Sequence, residues 1–387
     1  MKKLFMVFLA VMMVISAAGC SGSAGGDDVI KIGVNYELSG PVATYGSNSV
    51  DGIKLAIKEV NEAGGINGKQ VEAVILDNKS DAAEALSVAT RLFAQDKVVA
   101  HLGPATSGAT LNVVPAATQY GIPLVTGSAT NPDVTVDPAT GETRTYIFRT
   151  CFTDPPQAIV AADFTLNDLG ASKVAVYYDN TNDYSKGLYE VFVSEIEANG
   201  GQVVAVEGFS ADDQEFRPTL TKFRDAGAEM IYIPAYYEKV AKIISQAREL
   251  GITAPFMGAD GWDSPDLVEI AGADALNNTY FTNHYSSSDT AAEVKGFVEA
   301  FEAEYGKTPD SFAALGYDTA MLLMDAIRRA GSADPEAITA ALAETENYKA
   351  VTGTLSFDEY HNPIKEIAII EMVNGEQTLR TKIAPSN

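Results

Sequence analysis

Two cysteines, three histidines and one tryptophan in 387 residues leave little material for several kinds of chemistry. A disulfide framework or a Cys/His zinc site needs more of both, clustered at short spacings. His101, His284 and His361 stand apart, with no His-x-x-x-His pair, and each is expected to be structural or exposed rather than catalytic. Positive charge is scarce as well. Against 52 acidic side chains there are 27 basic ones, for a net charge of −25. A nucleic-acid binder neutralises phosphates with clustered Lys and Arg, so nucleic acid is not an expected partner. The same acidity removes electrostatic docking on anionic lipid. Enzyme fingerprints are missing too. There is no Gly-x-Ser-x-Gly elbow and no Gly-x-Gly-x-x-Gly turn. Gly68-Lys69 does not make a phosphate loop, because Ala63 replaces its first glycine and Gln70 its Ser or Thr. Neither an enzyme, a metal site nor a cofactor is expected.

Long hydrophobic runs are also absent, apart from Leu4–Ala18. That stretch is shorter than the roughly 20 residues a bilayer span needs. Lys2 and Lys3 precede it and small residues end it (Ser16-Ala17-Ala18-Gly19-Cys20), the pattern of an export signal over residues 1–19. The Ala-Gly-Cys ending resembles a bacterial lipobox, with Ala17 where Leu is usual, so Cys20 is expected to carry acyl chains, the alternative being an ordinary secretory peptide cleaved after Ala18. Residues 20–28, rich in Gly, Ser and Asp, then form a flexible tether. The acyl chains would anchor a protein whose charge gives it no attraction to lipid. That leaves Cys151 as the lone thiol, expected to be a small buried hydrophobe.

From residue 29 onward the chain alternates Val/Ile-rich strands with helices. Strands are expected at 29–34, 71–76, 98–102, 122–126 and 146–149, with helices at 47–63, 82–95 and 107–120 between them. A second series places strands at 173–178, 202–208, 230–235 and 256–258, with helices at 156–169, 185–199, 216–226 and 238–250. Strands of this kind separated by helices make parallel sheets covered on both faces. Two series therefore mean an α/β protein of two doubly wound, Rossmann-like lobes. The tail differs: a strand at 280–283, three helices (291–305, 312–330, 335–345), then β segments at 353–358, 366–373 and 379–383. These fit as additions to both lobes, so the chain crosses between them more than once. The expected division is 29–152 plus 284–356 for the N-terminal lobe, and 153–283 plus 357–387 for the C-terminal lobe.

In open α/β sheets, ligands sit beyond the carboxyl ends of the strands. Gly103-Pro104-Ala105-Thr106-Ser107-Gly108 follows one such strand and opens a helix; Gly127-Ser128-Ala129-Thr130-Asn131-Pro132 follows the next. Hydroxyls and free N–H groups at a helix N-terminus suit a carboxylate. Ser and Thr also cap helices with no ligand present, so the signal alone is moderate. In the second series Tyr236-Tyr237 and Asp260-Gly261-Trp262 follow strands, offering aromatics and an acid.

Several segments together resemble the branched-chain amino-acid-binding proteins, the type I solute-binding lipoproteins of ABC importers. They are Ile32-Gly33 with Leu38 to Gly46, Asn61-Glu62-Ala63-Gly64-Gly65-Ile66-Asn67-Gly68, Gly103-Pro104 to Ser107, and Gly121-Ile122-Pro123. Gln246-Ala247-Arg248 with Gly251, and Phe256-Met257-Gly258 with Gly261, complete the run. The resemblance implies a ligand cleft between the lobes. It implies that Ser107, Ser128 and Thr130 bind an amino-acid carboxylate, that the Ser128 carbonyl and Thr130 hydroxyl also reach the ammonium, and that Asp260 pairs with that ammonium. Family members of leucine specificity often have Glu at the Asp260 position. Tyr45, Tyr184 and Tyr236 would line the cleft, with Trp262 and Phe312 as further side-chain contacts. Also implied are an ABC permease as partner, a monomer, and a place outside the cell membrane facing the periplasm or the extracellular side. A sensing module of the same fold, or a binder of an amide or urea, stays open as an alternative.

Overall fold

The computed structural model describes residues 29–384. The export signal, the tether and Cys20 lie outside the described residues. Five short strands build the first sheet: β1 (Val29–Tyr36), β2 (Gln70–Asp77), β3 (Ala100–Leu102), β4 (Leu124–Thr126) and β5 (Ile147–Arg149). All pair parallel, in the order β2-β1-β3-β4-β5. Ile30, Ile32 and Val34 of β1 on one face, and Gly33 and Asn35 on the other, are buried, as helices on both faces require.

The second sheet has seven strands in the order β14-β13-β10-β9-β8-β6-β7. Its parallel part is β6 (Lys173–Asp179), β7 (Gln202–Phe209), β8 (Met230–Ile233), β9 (Phe256–Gly258) and β10 (Thr279–Asn283). A small hairpin follows, β11 (Tyr348–Ala350) with β12 (Gly353–Leu355). β13 (Ile367–Val373) and β14 (Glu376–Ile383) then close the edge antiparallel. The molecule therefore has two doubly wound lobes, as the strand–helix alternation requires.

Three segments join the sheets, after β5, after β10 and before β13. The helix Ser311–Ala330 lies against the helix Ala43–Glu62 of the first lobe, and two glycines let them touch. A Cβ on Gly52 would stand 2.0 Å from the Ala313 carbonyl oxygen, and one on Gly316 2.2 Å from that of Ser49. This close approach puts Phe312 flat on Tyr45, ring centroids 4.0 Å apart at 14°. The Gly64-Gly65 pair ends the first helix with φ of 101° and 77°, the turn expected there.

Boundaries differ at several places. The first helix starts at Ala43, a turn before the expected Ser47, which brings Tyr45 into its opening turn. The helices begun at Ala82 and Asp154 end in wider π turns, Leu92–Asp96 and Phe164–Asp168. A helix at Pro265–Ala271, with Ser264 as its cap, and the strand β11 were not foreseen. Cys151 is fully buried, and burial pushes its thiol up to about 12. It is the inert small hydrophobe expected. Among the described residues no helix is long and apolar enough to cross a membrane.

Candidate functional site

Loops from the carboxyl ends of strands in both sheets meet across the lobes. The Tyr45 hydroxyl donates to the Gly261 carbonyl, and the Thr44 hydroxyl donates to Asp266 Oδ2 at 2.5 Å. The Tyr237 hydroxyl bonds the Pro41 carbonyl at 3.1 Å, and Asn131 Nδ2 the Asp183 carbonyl at 3.2 Å. The lobes thus stand in a closed arrangement. Between them lies a narrow cavity, about 10 Å³ in this closed arrangement, lined by Tyr45, Ala105, Thr106, Ser107, Ser128, Tyr184, Tyr236, Asp260, Gly261 and Phe312. Six of the seven expected site residues line it. Thr130 does not: it is fully buried, with its hydroxyl beside the Asp154 carboxyl. Trp262, expected to touch a ligand, is turned into the core. Its Nε1 donates to the Ile233 carbonyl at 2.8 Å, and its ring covers Gly258, where a Cβ would come within 2.0 Å. Phe312 is at the cavity as expected.

The first lobe's wall is built on backbone. Ser107 is the first residue of the helix Ser107–Tyr120, whose first-turn N–H groups have no partner within the helix. Glu37, buried just after β1, takes the N–H groups of Ala105 and Thr106, both at 3.1 Å, and the Thr106 hydroxyl at 2.9 Å. Burial raises its pKa, while these donors oppose the rise. The N–H groups left for a ligand anion are those from Ser107 onward, fewer than the loop's sequence promised. The second loop is held by Arg149, fully buried, whose guanidinium donates to the carbonyls of Ala129 (2.7 Å) and Asn131 (2.9 Å) and to the Thr135 hydroxyl (3.1 Å).

The two serines are poised differently. Ser107 Oγ accepts from the Asn131 N–H at 3.2 Å, so its own proton is free for an anion. Ser128 Oγ donates to the Ala105 carbonyl at 2.8 Å, which leaves it lone pairs and suits it to a cationic donor instead. Of the two hydroxyls, Ser107 thus offers a proton and Ser128 lone pairs.

On the opposite wall Asp260 is 3% exposed. Its Oδ1 accepts from the Tyr184 hydroxyl at 2.8 Å and from Gln157 Nε2 at 3.1 Å. His284 Nε2 lies 3.1 Å from its Oδ2. Burial lowers the His284 pKa, and the Asp260 charge partly offsets this. Asp154, beside Gln157, is pushed up to about 8 by burial, with the Asp260 charge adding to the effect. Tyr184 and Tyr236 stack at 5.2 Å and 17°, and Tyr236 meets Tyr45 edge-on at 5.6 Å. The apolar span between the two walls is thus mostly aromatic. A larger hollow lies on the hinge side, along Lys349–Thr354 and Lys365, and none of the expected site residues lines it. Among the described residues no group of His, Cys, Asp and Glu is placed to hold a metal ion.

Glu37, Arg149, Asp154, Gln157 and His284 were not singled out for the site from sequence. Glu37 and His284 directly follow β1 and β10, so the strand-end rule, applied to every strand, points at both. Asp154 and Gln157 sit in the first turn after the first connecting segment, a place no loop motif marks.

Residues 29–377 match the model of a family described as periplasmic binding protein. The Leu/Ile/Val-binding protein homolog 1 of Brucella suis is 33% identical over 344 residues, covering 88% of this chain and 89% of its own length. The leucine-, isoleucine-, valine-, threonine- and alanine-binding protein of Pseudomonas aeruginosa is 30% identical, covering 89% and 90%. Among solved structures, the branched-chain amino acid transporter substrate binding protein LivJ of Streptococcus pneumoniae, in complex with isoleucine, superimposes with a TM-score of 0.87. It is 39% identical, over 92% of this chain and all of that one. The leucine binding protein LivK of Thermotoga maritima follows at 0.86, 35% identical, over 92% of this chain and 99% of that one. Strand order, cleft and these likenesses agree, and the chain belongs to the periplasmic binding protein family.

Proposed function

We propose that this chain captures an α-amino acid, branched-chain or otherwise neutral, between its lobes and delivers it to the permease subunits of an ABC importer. One observation carries the reading. A single cavity has a free hydroxyl proton and helix N-terminal N–H groups on one wall and a buried carboxylate on the other, with aromatic rings between. Those are the needs of a zwitterion with an apolar side chain. Taken out of water, both its charges must be matched, or desolvation outweighs the binding. Each wall belongs to a different lobe, so both charges are met only when the lobes close. Closure then depends on the ligand, and the closed form is what a permease can recognise. The names of the Brucella, Pseudomonas and Thermotoga relatives, and the isoleucine in the pneumococcal structure, support the ligand class.

The finer parts rest on sequence. Ser107 serves the carboxylate, Asp260 the ammonium with the Ser128 oxygen on the facing wall, and Tyr45, Tyr184 and Tyr236 the side chain, while Thr130 backs the wall beside Asp154. The lobes divide at 152/153, 283/284 and 356/357. The protein works as a monomer outside the cell membrane, held by acyl chains on Cys20.

A thermal-shift screen of the protein from Asp27 onward, against amino acids, amides and urea, tests the reading. A ligand at about 100 times its Kd adds roughly 2.7 kcal/mol of stability. Stabilisation by Leu, Ile or Val is expected. No response to any α-amino acid, from protein stripped of ligand by unfolding and refolding, overturns the cargo while leaving the fold intact.

A further inference from the structure

Asp260 is a short acid, so the angle of its carboxylate decides what it can reach. Its two oxygens are held unequally. Oδ1 has two donors, the Tyr184 hydroxyl and Gln157 Nε2. The Gln157 amide is itself fixed, because its oxygen accepts from the Thr282 hydroxyl at 2.8 Å and the Asp260 N–H at 3.4 Å. Oδ2 has a single donor among the described residues, His284 Nε2. A carboxylate only accepts, so the proton of a neutral His284 stands on Nε2.

His284 is also the first residue of the connecting segment that follows β10. Its ring stacks on Phe152 of the first connecting segment, centroids 3.6 Å apart at 26°. Its backbone N–H donates to Asn283 Oδ1 at 2.7 Å, and Asn283 Nδ2 donates to Asp263 Oδ2 at 2.9 Å. The same Asp263 oxygen accepts the N–H of Ser311 at 2.9 Å, at the start of the helix that brings Phe312 to the cavity. On its other side His284 lines the hinge-side hollow. One residue therefore touches the cavity's acid and the first connecting segment with its ring, and a bonded path to the first lobe with its backbone.

We propose that His284 is a positioning residue, holding Asp260 in the pose that meets a ligand's ammonium and tying that pose to the hinge. The inference rests on the amino-acid reading of the cavity. A swing of the lobes about the connecting segments shifts the Phe152–His284 stack. The Nε2–Oδ2 bond carries that shift to Asp260, so the acid is correctly angled only when the lobes are closed.

Two polar substitutions separate this role from plain packing. His284→Gln keeps an N–H donor near the place of Nε2, whereas His284→Asn puts it near the place of Nδ1. Calorimetric titration uses whichever of Leu, Ile or Val stabilises the unaltered protein most. His284→Gln is expected to bind within threefold of it, and His284→Asn at least tenfold more weakly, with both variants melting within a few degrees of each other. Equal affinities for the two variants, whether both intact or both lost, overturn the inference, because a packing role does not distinguish the nitrogens. An unaltered protein that binds no amino acid overturns the reading of the cavity instead.

Discussion

The two walls of the cleft are built by different means. On the proposed reading the anion's partners on the first lobe are N–H groups and a hydroxyl at a helix start, and the supporting bonds run mostly to backbone, between Glu37 and the N–H groups of Ala105 and Thr106 and between Arg149 and the carbonyls of Ala129 and Asn131. On the second lobe the proposed partner of the cation is one side chain, Asp260, held by three others: Tyr184, Gln157 and His284. Backbone donors are fixed by the fold and survive most substitutions. An acid held by side chains can be lost or re-aimed by one. On the proposed reading the second wall is therefore the source of both charge selectivity and fragility.

Removing the acid gives the largest effect. Asp260→Ala should weaken amino-acid binding by roughly 2–5 kcal/mol, as for truncating one partner of a buried charge pair. Titration calorimetry measures it, and an affinity within threefold of the unaltered protein would show that the ammonium is held elsewhere. The neighbouring Asp154 sharpens the contrast through pH. Its folded pKa is raised from 3.8 to about 8, so between those values the folded state holds a proton that the unfolded state has released. Its contribution to stability is full below pH 3.8 and is lost as pH rises toward 8. Asp154→Asn has no such proton. Its melting temperature should gain on the unaltered protein by several degrees between pH 5 and 8, and parallel melting curves across that range would place Asp154 in water. On the first wall, Glu37→Ala leaves the Ala105 and Thr106 N–H groups without their acceptor. A loss of about 1–3 kcal/mol in folding stability is expected from denaturant titration. Affinity should fall with it, since the loop presenting Ser107 loosens.

This asymmetry also explains what could be read from the chain. The first wall was legible because backbone sites leave a local trace. Gly103 to Gly108 and Gly127 to Pro132 are contiguous, follow strands and open turns or a helix. Asp260 could be found by the same rule. What holds Asp260 could not, because Tyr184, Gln157, Thr282 and His284 are spread over 128 positions, and only the order of seven strands brings them together. The alternation of strands and helices fixed the lobes, but short elements escaped it. The helix Pro265–Ala271 has only seven residues and opens on Ser264-Pro265, which reads equally well as a loop. Trp262 shows the opposite failure. Its place beside Asp260 suggested a ligand contact, yet Gly258 leaves a space that the indole fills, and its N–H satisfies the Ile233 carbonyl.

The smallest expected difference tests how the first wall divides its work. Ser107 and Ser128 both line the cavity with a hydroxyl, but only Ser107 has a proton to give. A hydrogen bond to a charged group contributes roughly 1.5–3 kcal/mol, and one between neutral groups about 0.5–1.5. Ser107→Ala removes a donor to the ligand carboxylate and should fall in the upper range. Ser128→Ala removes a hydroxyl whose proton is already engaged with the Ala105 carbonyl, so part of its effect should show as lost stability and its loss of affinity should be the smaller of the two. The ligand pair makes the test specific. A hydroxy acid with the same side chain as the amino acid keeps the carboxylate and lacks the ammonium. Ser107→Ala should weaken both ligands equally, whereas Ser128→Ala should weaken the amino acid more than the hydroxy acid. If the order is reversed, the Ser128 proton turns from Ala105 to the ligand on binding, and the first wall is less fixed by the fold than its backbone bonds imply.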